Sequence, residues 1–147
     1  MDDKQWANRR ERLTGRSEEP SPHDIRERTY QFAVRVVRLV KSLPRALVEV
    51  ELGRQLMRAG VSIGANVEEA NAGESKRDFI HKMGVARKEA RETRYWLRLL
   101  QTTTSEQDEI ESLLRESDEL VRILSTIIRM QRKRACKTIN NLSGFSF

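Results

Sequence analysis

Four arginines in the middle of the chain are spaced so that one face of a helix would carry all of them. Arg87, Arg91, Arg94 and Arg98 are separated by four, three and four residues, and residues at these intervals lie along one side of an α-helix. Such a row of guanidinium groups could contact the phosphates of a nucleic-acid backbone. Ion pairing with neighbouring glutamates is the alternative. The glutamates considered for it are Glu68, Glu69, Glu89 and Glu92.

A second basic group is predicted where several helix ends meet. The last helical stretch changes from acidic to basic along its length, a distribution that already suits the dipole of one helix. In an up-down-up-down bundle, its basic end would lie beside the starts of the first and third helices. A nucleic-acid or acidic-protein surface is favoured there over a merely solvated end. The residues predicted to gather are Arg26, Arg28, Lys76, Arg77, Arg129, Arg132, Lys133 and Arg134.

The overall charge agrees with a polyanionic partner. The net charge is +6, and residues 23–103 hold sixteen basic and ten acidic residues, whereas the two flanking segments are balanced. A basic protein of this size binds nucleic acid or an acidic protein. Tyr30, Phe32, Phe79 and Trp96 fall at or near core positions, so no aromatic platform for stacking bases is expected. Binding should therefore depend on the phosphate backbone and on salt.

The sequence predicts no enzyme, no cofactor and no metal site. A di-metal bundle site needs two Glu-x-x-His motifs, and the chain offers only Asp78 with His81, plus a second histidine at His23. Cys136 has no evident histidine partner for a thiol nucleophile. The glycine-containing stretch "GVSIGANV" lacks the Lys-Ser/Thr ending of a phosphate-binding loop.

The elements that position these residues are predicted to be four helices joined by short connections. The helices are expected over about 24–42, 46–71, 75–101 and from Thr104 or Ser105 to about 137. Three segments follow: a charged, flexible arm over 1–20, an all-α, up-down-up-down bundle over 21–137, and a polar tail over 138–147. No apolar run is long enough for a signal peptide or a membrane span, so a cytoplasmic protein is expected.

The first and fourth helices carry more apolar surface than one bundle buries. On each, the apolar positions cover roughly 220° of the helical wheel, whereas a bundle helix buries about three residues in seven. Exposed apolar patches usually mark interfaces, so we expect a homo-oligomer. The alternative is that both helices lie deeper in their own bundle.

The second helix carries glycines on one flank and polar residues on the other. Gly53, Gly60 and Gly64 would let another helix approach closely. A polar strip on the opposite flank is interpreted as a set of interhelical contacts, because half-buried polar groups are normally satisfied by protein groups. A polar ligand site is the alternative. The strip and its neighbour Arg58 form the structural motif Gln55, Arg58, Ser62, Asn66 and Glu69.

The stretch "QLMRAGVSIGANVEEANAGESKRDFIHKMGVARKEARETRYWLRLL" resembles the four-helix-bundle proteins first known from open reading frames in 23S rRNA intervening sequences. That family typically shows Gln-Leu-x-Arg-Ala-x-x-Ser-Ile-x-x-Asn-x-x-Glu, then a serine cap and an aromatic residue, matched here by Ser75 and Phe79. The resemblance spans roughly residues 24 to 135. Many members carry Gly after the motif glutamate, where Ala70 and Asn71 stand here. The residues that match the first pattern are Gln55, Leu56, Arg58, Ala59, Ser62, Ile63, Asn66 and Glu69.

The resemblance implies a ring-like homo-oligomer, typically a pentamer, without known catalysis. A related protein is the accessory variability determinant of diversity-generating retroelements, a basic pentamer that binds nucleic acid and partners a reverse transcriptase. The sequence therefore predicts a non-catalytic basic scaffold for nucleic acid, RNA or an RNA–DNA hybrid. A protein-interaction adaptor, such as the accessory subunit of a retroelement reverse transcriptase, is the second hypothesis.

Overall fold

The computed structural model describes residues 22–143. Within that range the chain is all-α, without a β-strand, which confirms the predicted fold class. The predicted N-terminal arm and the residues after Ser143 lie outside the described residues, as does Ser21. The four helices are α1 (Pro22–Ser42), α2 (Leu47–Ala72), α3 (Lys76–Gln101) and α4 (Gln107–Ser143).

The helices form a bundle in which each one packs against its neighbours in the chain. α1 packs on α2, α2 on α3, α3 on α4, and α4 returns to α1, whereas no Cα atoms of the diagonal pairs come within 8 Å of each other in the described residues. Ion pairs between early residues of one helix and late residues of the next show that neighbours are antiparallel; Arg58 to Glu92 and Lys82 to Glu69 do so for α2 and α3. The topology is therefore up-down-up-down.

The core is organised along one seam of α3, which runs from Phe79 to Leu100 at spacings of four and three residues. Phe79 is half-buried, and every later seam residue is buried. These side chains meet buried residues of the other three helices, including Phe32, Leu56 and Leu124. The alternation of three- and four-residue spacings keeps the seam facing the bundle axis over the whole helix. The buried seam residues are Met83, Ala86, Ala90, Thr93, Leu97 and Leu100.

The apolar surface of α4 is accounted for within the single bundle. Its large side chains, from Ile110 to Ile128, are buried, and Leu114 and Val121 are half-buried. The expectation that α4 presents surplus apolar surface is therefore wrong, because α4 lies deep between α1 and α3. On α1 the expectation holds, since Tyr30 and Val37 are exposed.

The three glycines of α2 face α1, which confirms the predicted close approach. A Cβ at Gly53 would lie 3.3 Å from Leu43, and one at Gly64 would lie 3.5 Å from the backbone of Thr29. At Gly60 a Cβ would lie 3.0 Å from both methyl groups of Val36. A Cβ at Gly60 would therefore force Val36 to shift and one at Gly53 would be tight, whereas one at Gly64 would make an ordinary van der Waals contact.

The helix ends agree with the sequence signals except at the end of α4. Ser75 caps α3 by accepting a hydrogen bond from the Asp78 amide at 3.1 Å, as predicted. α4 continues to Ser143, so residues 138–143, assigned above to a polar tail, are helical. No glycine or proline interrupts the chain there before Gly144. Among the described helices, none has a stretch long and apolar enough to cross a membrane.

Candidate nucleic-acid interface

The basic end of α4 extends beyond the start of α1. Arg28 pairs with Glu116 at 2.5 Å and Arg35 with Glu109 at 3.0 Å, which places these helical levels side by side. By the same offset, the first residue of α1 lies level with Arg122. At about 1.5 Å of rise per residue, positions 129–134 then lie roughly 10–18 Å past that start. The predicted meeting of the α4 end with the start of α1 is therefore wrong, because relative helix offset is fixed by packing.

The start of α3, in contrast, does lie beside the basic end of α4. Arg94 pairs with Asp118 at 3.2 Å, and Arg87 donates to the Ser125 hydroxyl at 3.4 Å. This offset places the beginning of α3 level with residues 135 and 136 of α4. The side chains gathered there are exposed, and none forms an ion pair within the part of the chain that the structure describes. The basic end consists of Lys76, Arg77, Arg129, Arg132, Lys133 and Arg134.

Arg26 and Arg28 are neutralised by carboxylates of neighbouring helices. Arg26 donates two hydrogen bonds to Glu68, at 3.0 and 2.7 Å, and Arg28 donates two to Glu116, at 2.5 and 3.0 Å. These bonds raise the pKa of both guanidinium groups, and the bond from Arg26 lowers the pKa of Glu68. Both arginines thus tie α1 to its neighbours.

The row of arginines on α3 divides into two pairs. Arg87 and Arg94 turn toward α4 and hold Ser125 and Asp118. Arg91 and Arg98 are exposed and have no ion pair among residues 22–143. The glutamates considered as partners are engaged elsewhere or buried: Glu68 binds Arg26, Glu69 binds Lys82, Glu92 binds Arg58, and Glu89 has a buried oxygen without a partner there.

The polar motif of α2 contributes to the α2–α3 contact through two of its five residues. Arg58 reaches Glu92 at 2.6 Å, and Glu69 accepts from Lys82 at 2.5 Å. Asn66 instead donates to Ser62 on the same helix, to its carbonyl at 2.8 Å and its hydroxyl at 3.2 Å. Gln55 is half-buried and makes no hydrogen bond within the described residues. The motif is therefore partly interhelical and partly local.

An apolar groove runs along the outside of α1 and α2. It has a volume of about 480 Å3, and Val37 and Val61 on its walls are 37% and 40% exposed. Met57 and Val50, further along α2, are also exposed. The α2 wall of the groove was not predicted, because the exposed valines of α2 stand among charged and polar residues in the sequence. The apolar side chains lining the groove are Tyr30, Ala33, Val34, Val37, Val61 and Ala65.

Two tyrosines are more exposed than the sequence indicates. Tyr30, placed near the core above, is 60% exposed, and Tyr95 on α3 is 55% exposed. The Tyr95 ring makes an edge-to-face contact with the half-buried Trp96, with ring centroids 5.1 Å apart. Along α3, Tyr95 lies between the exposed Arg91 and Arg98, so an exposed aromatic ring that the sequence reasoning did not consider accompanies these basic residues.

The described part of the chain offers no side-chain cluster that could bind a metal ion. The described residues contain no group of three or more His, Cys, Asp or Glu side chains that could hold a metal ion. His81 is exposed, as is Cys136. The arrangement presents fixed positive charge and one aromatic ring.

Comparison with known proteins identifies a family and similar solved structures. A family model described as 23S rRNA-intervening sequence protein matches residues 22–126. The chain is also similar to a protein of unknown function from the S23 ribosomal protein family of Bacteroides thetaiotaomicron, known from a crystal structure. The two are 38% identical, with a TM-score of 0.68, over 74% of this chain and 97% of that one. No curated protein matches the chain.

Proposed function

Because the chain belongs to the 23S rRNA-intervening sequence protein family, we propose that it is a non-catalytic oligomeric scaffold that binds nucleic acid through the phosphate backbone. The observation that carries the proposal is the basic end. Its six cations are exposed and free of carboxylate partners among the described residues, whereas Arg26, Arg28 and Arg58 are paired. Clustered free cations release counterions from a nucleic acid, which favours binding. RNA or an RNA–DNA hybrid is the proposed ligand, and the cytoplasm the proposed location.

The oligomer is proposed to be a ring, a homopentamer, assembled through the apolar groove of α1 and α2. Exposed valines along a groove of this kind are characteristic of interfaces. A ring repeats the basic end once per subunit, so the positive potential of the assembly exceeds that of one chain.

The test is size-exclusion chromatography with light scattering, recording absorbance at the nucleic-acid and protein maxima at low and high salt. We expect a salt-stable oligomer that loses nucleic acid as salt rises. Charge reversal at the basic end, R132E with K133E, should abolish binding. The matched control is R45E with R115E, which reverses two exposed cations that have no ion pair in the described chain and lie outside the groove. Equal losses in both variants would show that only the total charge matters.

The interface is tested separately with V37K and V61K, which place charges in the groove. Each should dissociate the oligomer, because an unpaired ammonium group is costly to bury. The control is I139K, since Ile139 is 65% exposed and lies outside the groove. An unchanged oligomer in both groove variants would refute this interface.

The adaptor is the second candidate, and the same groove favours it. In that role the groove binds a partner protein, such as a retroelement reverse transcriptase, and nucleic acid belongs to the partner. An oligomer free of nucleic acid even at low salt would support it. Binding to a partner protein would then persist at high salt, because apolar burial is not screened by ions.

A further inference from the structure

The outward face of α3 combines positive charge, an exposed aromatic ring and a free glycine. At about 100° per residue, six residues of α3 fall within a narrow strip of its surface. Five of them are exposed, and Gly84 is half-buried. None of the six is acidic. This outer α3 strip consists of Arg77, Gly84, Lys88, Arg91, Tyr95 and Arg98.

The acidic residues beside the strip do not neutralise it. Glu92 on one side is paired with Arg58, and Asp118 on the other side is paired with Arg94. The strip therefore keeps its charge over about 32 Å, the rise of a helix from Arg77 to Arg98. Arg77 also belongs to the basic end, so the two surfaces are continuous.

No contact within the bundle requires a glycine at position 84. A Cβ at this position would meet no atom within 4 Å. Glycine inside a helix is destabilising by roughly 0.5–1 kcal/mol relative to alanine, and the other helical glycines, for example Gly60, face α1 closely. A glycine on an open, positively charged helix face lets a ligand backbone approach the helix more closely than any other residue would.

We propose that the outer α3 strip binds single-stranded nucleic acid, with a base stacked on Tyr95 and the phosphates held by Lys88, Arg91 and Arg98. The inference rests on the proposed function and specifies its ligand. Its charge fits a polyanion. The exposed ring selects a single strand, because the face of an unpaired base is free to stack, whereas duplex bases are already stacked on each other. The edge-to-face contact with Trp96 holds the Tyr95 ring in place.

The test measures fluorescence anisotropy with a labelled RNA of mixed sequence that cannot pair with itself, and with the same RNA annealed to its complement. The wild-type protein should bind the single strand more tightly. Y95L retains apolar packing on Trp96 and removes the aromatic face, so single-strand affinity should fall at least about fivefold. Duplex affinity should stay unchanged. Y95F should retain wild-type affinity.

Three further variants separate stacking from charge. L47A, at a large exposed apolar side chain outside both the groove and the strip, should leave both affinities unchanged. R91Q should weaken the binding of both RNAs. For the single strand, it should also reduce the slope of log affinity against log salt concentration by about 0.7. G84Q should weaken RNA binding without lowering the melting temperature, because a Cβ at this position meets no protein atom within 4 Å and glutamine has a higher helix propensity than glycine.

The outcomes distinguish this inference from the proposed function. If the wild-type protein binds neither RNA, both fail. If it binds and R91Q weakens binding but Y95L does not, the strip binds phosphates only, so the stacking proposal is overturned and the scaffold function stands. If Y95L leaves RNA affinity unchanged but alters the oligomer mass, the strip is an interface between copies, and the proposal is also overturned.

Discussion

The contact between Gly60 and Val36 allows a sharp test of how closely α1 and α2 pack. In G60A, a new methyl group would lie 3.0 Å from both Val36 methyl groups, where unstrained carbon atoms are about 3.5–4.0 Å apart. Val36 is fully buried and β-branched, so it has one favoured rotamer in a helix and cannot turn away. Both methyl groups are approached, which means that the helices themselves must separate.

The magnitude follows from two opposing effects. Alanine gains about 1 kcal/mol of helix propensity over glycine, and overpacking costs about 1–3 kcal/mol. G84A has the same propensity gain and no new contact within 4 Å. We therefore expect G84A to raise the free energy of unfolding by about 0.5–1 kcal/mol. G60A should lie about 1–3 kcal/mol below G84A, because the difference between them isolates the overpacking.

The assay is urea unfolding followed by circular dichroism at one fixed protein concentration, since oligomers gain stability with concentration. A double-mutant cycle with V36A completes it. When Val36 is shortened, G60A should become favourable, with a coupling energy of about 1–3 kcal/mol. If G60A is as stabilising as G84A, or if the coupling is below about 0.5 kcal/mol, the close packing of α1 on α2 is refuted.

Three further predictions concern ion pairs and a helix cap. Arg26 lowers the pKa of Glu68 below its ordinary value of 4.5. The pair therefore stabilises the fold above that pH and stops doing so as the pH falls through the lowered pKa. E68Q should reduce the loss of stability on acidification, measured by unfolding at several pH values. E116Q should reduce the unfolding free energy by about 1 kcal/mol and no more, because Arg28 is 40% exposed and solvent screens the pair; a loss of several kcal/mol would contradict this. S75A removes the cap of α3 and should cost about 1 kcal/mol, with S105A as the control, because Ser105 is exposed and its hydroxyl caps no helix in the structure.

The architecture was accessible to sequence reasoning because its signals are local. The three- and four-residue spacings of α3 fix its buried face, and Ser75 and Gly73 mark the helix boundaries around it. The end of α4 was missed, since a polar run without glycine or proline does not distinguish a helix from a tail. Residues 138–143 are helical because they extend the helix that precedes them.

The site was only partly predictable, because it depends on how helices are offset against each other. The basic residues of α3 and α4 were identified, but the sequence alone does not show that the end of α4 extends beyond the start of α1. The pairing of Arg26 with Glu68 depends on another such offset, between α1 and α2. Tyr95 could have been found, since a helical wheel places it on the same face of α3 as Arg91 and Arg98, within about 60° of both.

The contrast between the two sides of α1 has a consequence for the motions of the molecule. On one side, α1 packs closely against the glycines of α2. On the other side it faces α4, and these two helices are the most loosely packed of the neighbouring pairs. Arg28 and Arg35 link them through ion pairs. Local opening follows the least stable contacts. Transient fluctuations of the native state should therefore separate α1 from α4 while α1 stays packed on α2, with amide protons of α1 exchanging faster than those of α3. Salt should accelerate that exchange, because ions screen the two pairs that close the gap.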